Sequence, residues 1–189
     1  MVRNVHERLP AVFLERVRRL VDGPRRVSAV PVPDTVLLRN ALPRVDATDA
    51  YAVPAPPGTP REPQLWADAL FRSPPAWVVA LLGVRELLVG FAGIRRAGPS
   101  AFDTVARTAD EVLLGTDDRH LDFRASVLRE DRRIVLSTVV RVHNRRGRFY
   151  WGLVRHVHPV VVKAMLARAA RRLSRNSNAA TPNRETIDA

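Results

Sequence analysis

Cysteine is absent from the 189 residues, so a disulfide framework, a thiolate nucleophile and sulfur-ligated zinc are all excluded. The absence fits a reducing compartment. Lysine occurs once, at Lys163. Arginine in place of lysine resembles the composition that GC-rich coding produces, so basic richness alone does not argue for a nucleic-acid ligand. The chain has no Gly-x-Ser-x-Gly elbow, no glycine-rich phosphate loop, no His-Glu-x-x-His and no convincing carboxylate pair. Long uninterrupted apolar runs are also missing. The longest candidate, Ala76 to Gly93, carries Arg85 and Glu86 in its middle, a costly pair in lipid, and reads as buried protein rather than a membrane span. The opening residues MVRNVHERLPAVFLERV are broken by charge and lack the apolar centre of a secretory signal. A cytoplasmic chain is expected.

What is present suffices for one domain. Apolar residues make up 46% of a 21.1 kDa chain, enough for a real core and too little for two comfortable domains. The net charge of +12 is uneven: residues 1–45 hold +5, residues 46–158 only +3, and residues 159–189 hold +4. The ends are basic and the centre is nearly balanced, and nucleic acid is disfavoured as a partner.

Residues 1–37 read as a basic extension, with an amphipathic stretch over 1–22 and a proline-punctuated linker after Gly23 and Pro24. The domain proper is set at 38–175 and a disordered tail at 176–189. A first strand is expected over 46–53. Thr59-Pro60-Arg61-Glu62 offers a capping box, predicting a helix that carries Leu65, Trp66, Ala69 and Leu70 on one face. Ser73-Pro74 predicts a second helix with Trp77, Val78, Leu81 and Leu82.

The period then changes to two. Strands are expected at 111–114, 121–128 and 134–143, with Leu121, Phe123, Ala125 and Val127 on one face and Asp122, Arg124 and Ser126 on the other. Asn144-Arg145-Arg146-Gly147 reads as a hairpin loop leading to a strand over 149–157. Pro159 is expected to open a last helix with Val162, Met165, Leu166, Ala169 and Leu173 as its apolar stripe. The fold class is α+β: a curved antiparallel sheet wrapped around a long C-terminal helix, with two short helices after the first strand. Ile134, Leu136, Val140 and Val142 share one face of the 134–142 run and Val135 and Val139 the other; one face can meet the core and the other needs a cover. The N-terminal segment, a second copy or a partner would each serve.

Several runs carry a resemblance. Asp49-Ala-Tyr-Ala-Val, the run from Glu111 to Arg124, the run from Val139 to Tyr150 and the run from His156 to Met165 resemble domain of unknown function 2867. The element order resembles the helix-grip arrangement of the START, or Bet v 1-like (SRPBCC), superfamily. This resemblance spans about residues 38–173. It implies an internal cavity for a lipid- or polyketide-like molecule, with or without cyclase- or isomerase-like acid–base activity, and no cofactor. It does not by itself decide function. A non-enzymatic interaction or dimerisation module is the alternative.

His120, Asp122 and Arg124 share a strand face and form a candidate polar cluster, with His120 and Asp122 as proton carriers and Arg124 as an anion or carbonyl clamp. The competing reading is an outer face on which Asp122 pairs with Arg141. Tyr150 would add a phenol from an opposite wall. Trp66, Trp77, Phe123, Trp151 and Met165 would line the pocket, or serve as plain core. His156 and His158, two apart on a strand, could approach a metal, but a capping role for His158 before Pro159 is the simpler account, and no metal is expected.

Overall fold

Alternation along 121–129 decides which way the sheet faces. The computed structural model describes residues 27–72, 76, 78 and 102–179. In it Ala125 and Val127 are buried on one face of β5 (Leu121–Arg129), and Asp122, Arg124 and Ser126 on the other. The remaining strands are β1 (Ser28–Ala29), β2 (Ala47–Pro54), β3 (Thr104–Arg107), β4 (Glu111–Thr116) and β6 (Arg133–Val142). They form one antiparallel sheet in the order β1-β2-β6-β5-β4-β3. The helices are α1 (Val36–Arg39), α2 (Pro63–Phe71) and α3 (Arg145–Ala179). The amphipathic stretch over 1–22, Trp77, Leu81 and Leu82 of the expected second helix, and residues 180–189 lie outside the described residues; residues 176–179, expected to be disordered, are helical as the end of α3.

α2 and α3 cover one face. Tyr51 and Val53 of β2, Val112 and Leu114 of β4, and Ile134 and Leu136 of β6 meet Trp66 and Leu70 of α2 and Val162, Leu166, Ala169 and Ala170 of α3. The expected stripe on the last helix is thus the face that packs.

The opposite face is covered by the chain itself. Leu38, Ala41 and Leu42 pack on Leu113 and Val139, while Val30 and Val32 lie against Ala50, Ala52 and Val135. Val135 and Val139, on this second face, are buried by this segment. Burying each such aliphatic side chain stabilises by about 2 kcal/mol. A polar clip fixes the segment. Thr35 Oγ1 accepts from the Leu38 amide at 3.1 Å as the N-cap of α1 and donates to Glu111 Oε1 at 3.0 Å. Ser126 donates to the same buried oxygen.

Three local expectations are corrected. The 149–157 strand is helix, continuous with α3, because Asn144 caps a helix rather than starting a hairpin: its Oδ1 accepts from the Gly147 amide at 3.0 Å. Pro159 lies inside α3 instead of opening it. The capping box at Thr59 does not form. The Thr59 hydroxyl donates to Pro56 O, and the helix begins at Pro63, which needs no amide partner in the first turn.

The lower end of β6 is pinned to the start of β2 by Asp46. Its Oδ2 accepts from the Val142 amide at 2.7 Å and from Arg44 Nη2 at 3.1 Å. The backbone hydrogen bond, followed by the Arg44 guanidinium, holds this carboxyl below its ordinary value of 3.8. A lowered value means that the stabilisation is complete above 3.8 and is lost as pH falls through the folded value. Asp46→Asn is expected to cost about 1 kcal/mol at neutral pH, discounted for exposure. Urea unfolding of both proteins should show that gap narrowing below about pH 4.

Candidate functional site

Cross-strand register brings Asp49 of β2 directly opposite Thr138 of β6, on the face that α3 covers. Above them α3 places His158. Its Nε2 lies 3.1 Å from Thr138 Oγ1 and 3.4 Å from Asp49 Oδ2. Trp151, two turns earlier on α3, meets the His158 ring edge-on with centroids 5.9 Å apart. Lys163 Nζ stands 5.3 Å from the centre of the Tyr51 ring, a cation–π distance. Burial, and then the nearby charge of Asp49, push the Tyr51 phenol above its ordinary value, so it remains a hydrogen-bond donor at neutral pH.

One atom in this cluster is unsatisfied. Asp49 Oδ1 is buried and accepts no hydrogen bond. A buried acceptor left unmade costs about 1–3 kcal/mol, a cost often borne at sites that wait for a partner. Pro159 follows His158 inside the helix and lacks the amide that would bond the carbonyl four residues earlier, at Arg155. The two halves of α3 also differ. Beyond Lys163, Leu166, Ala169 and Ala170 are fully enclosed, whereas Tyr150, Trp151 and His158 are half-buried.

The residues singled out in the sequence fall into two groups on opposite faces. Asp122 and Arg124 are buried on the face turned away from α3. Asp122 Oδ1 lies 2.8 Å from His143 Nε2, and its Oδ2 lies 3.9 Å from Arg141 Nη1. Arg124 donates to the carbonyls of Thr116 and Phe123 and meets Asp117 at 2.7 Å. His120 stands at the lower edge, where its Nδ1 lies 2.9 Å from Asn144 Nδ2 and 3.1 Å from Asn144 Oδ1. The other group faces α3. Trp66 is fully enclosed, with its indole N–H donating to Pro60 O at 2.9 Å. Met165 is buried beside it in the same core. Phe123 is partly buried against Phe102. Tyr150 and Trp151 sit on α3, not on a strand. The structure therefore does not bring His120, Asp122 and Arg124 together with the aromatic residues.

His156 and His158 are also separated. Two residues apart on a helix rather than a strand, they point in different directions; His156 is exposed. Among the described residues, no group of three or more histidine or acidic side chains could hold a metal ion. An open groove of about 430 Å³ lies elsewhere, between the start of α2 and the β3–β4 turn, and is lined by Arg61, Glu62, Arg107, Thr108 and Asp110 among others. None of the candidate site residues lines it.

Residues 41–165, more than half of the chain, match the model of a family described as protein of unknown function, DUF2867. The chain belongs to the DUF2867 family. No curated protein and no solved structure matches it. The match includes Asp49, Thr138 and His158 as well as Asp122 and Arg124, so both polar clusters lie within the DUF2867 segment. Sequence reasoning passed over Asp49, Tyr51, Thr138 and Lys163. The available signal was the period-2 pair Asp49 and Tyr51, set in a largely apolar strand.

Proposed function

We propose that this chain binds an apolar small molecule bearing a carbonyl or hydroxyl group between the first half of α3 and the sheet, and that Asp49 and His158 move a proton on it. The supporting observation is the Asp49–His158 pair with its unbonded carboxylate oxygen. A ligand hydroxyl would donate to Asp49 Oδ1. His158, held by Asp49 and Thr138, would take a proton next to a polarised carbonyl and return it elsewhere on the same molecule, the balance of an isomerisation or cyclisation. Trp151 and Tyr150 would cover the apolar body. A sheet with its last helix laid across one face also fits the helix-grip arrangement of START-like proteins, and we read the chain as one. The covered second face removes the uncovered sheet surface on which the interaction-module reading rested.

A hydroxynaphthyl ketone dye tests this reading, because its emission shifts to the blue in apolar surroundings, its hydroxyl can donate to Asp49 Oδ1 and its carbonyl can accept from the protonated imidazole of His158. The dye should bind the full chain. His158→Ala and Asp49→Ala should each weaken binding by about tenfold, the loss of one hydrogen bond to a charged or strongly polar group. Unchanged binding in both variants would refute the site.

A further inference from the structure

The side of α3 turned away from the sheet is apolar where a solvated helix should be polar. Phe149 is 76% exposed, Leu153 54%, Val157 42% and Val160 37%. Their spacing of four, four and three residues aligns them on one face, about 17 Å long at 1.5 Å per residue. Trp151, His158, Val162 and Leu166 occupy the opposite, sheet-facing side. Single exposed apolar residues need no explanation, but a contiguous stripe of four does.

The charge around the stripe selects its occupant. α3 carries eight arginines and one lysine and no acidic residue, and none occurs anywhere between Asp131 and Glu185. Arg145 and Arg146 are exposed beside the stripe, and Arg168 and Arg175 are exposed further along the helix. We propose that the first half of α3 docks on an anionic lipid surface, with Phe149, Leu153, Val157 and Val160 entering the headgroup–acyl boundary and the flanking arginines meeting lipid phosphates. Apolar residues on one stripe with basic residues around it are what an interfacial helix requires. A second copy of the chain would bring two wholly basic helices together. Nucleic acid would satisfy the arginines and leave Phe149 and Leu153 in water. An anionic bilayer satisfies both. The docking does not depend on the ligand site, which uses the other side of the helix.

Sedimentation of the full chain with vesicles tests the proposal, comparing phosphatidylcholine alone with phosphatidylcholine containing phosphatidylglycerol. The chain should sediment with the anionic vesicles only, and less so as salt rises. Phe149→Ser combined with Leu153→Ser should weaken that binding at least about tenfold at an unchanged melting temperature, since both side chains are exposed. If the double variant melts early, Phe149→Ala alone should still weaken binding severalfold in a chain that melts normally. Three results would overturn the proposal: no binding to anionic vesicles, equal binding by wild type and folded variants, or a self-association lost in the variants without any vesicle binding.

Discussion

Gly147→Ala should destabilise the protein by about 3 kcal/mol or more, among the largest effects expected of any single methyl group. A Cβ at Gly147 would stand 2.0 Å from the His120 carbonyl oxygen and 2.9 Å from its carbon. Both are backbone atoms, so no side chain can rotate away. The same carbonyl accepts from the His143 amide at 3.0 Å, which ties it to the end of β6. The first turn of α3 must therefore lift from the sheet edge. Because α3 carries His158, the substitution should weaken dye binding together with stability. Urea unfolding of wild type and variant measures the loss, and a difference below about 1 kcal/mol would mean that α3 is not seated on His120.

Trp66→Ala should cost about 4 kcal/mol, in the range seen when a large buried aromatic is removed. Trp66 has no exposed surface and sits among Leu70 and the α3 residues. Its loss leaves a cavity and removes the indole donor from Pro60 O, a hydrogen bond that spans the turn into α2. Against a total stability of roughly 5–15 kcal/mol, that is a large share. Thermal and urea melts should both shift, with little change in the slope of the urea transition. A variant that melts like wild type would place Trp66 at a ligand surface rather than in the core.

The sequence was most legible where one periodicity dominated. The alternation over 121–128 named the two faces of β5 correctly, and the stripe from Val162 to Ala169 named the buried side of α3. It misled where local chemistry has two uses. Asn144 and Gly147 suit a hairpin, and they equally suit a helix N-cap and a close backbone approach. Phe149 to Val157 is rich in β-prone and aromatic residues, yet the cap at Asn144 and packing on the sheet make it helical. The candidate site was hidden for another reason. Asp49, Thr138 and His158 are far apart in the chain, and only the β2–β6 register and the path of α3 bring them together. Asp122 stood out because its motif is dense in polar residues, and those residues bond to each other on the opposite face.

The two faces can be set against each other in one measurement. The full chain, an inner-face variant with Asp49→Asn and His158→Gln, and an outer-face variant with Asp122→Asn and Arg124→Gln are purified identically. Their co-purifying small molecules are extracted and identified by mass spectrometry, and melting curves confirm that each is folded. The account predicts an apolar compound with a carbonyl or hydroxyl group in wild type, retained by the folded outer-face variant and lost from the inner-face variant. Retention by a folded inner-face variant, or loss confined to a folded outer-face variant, would contradict it.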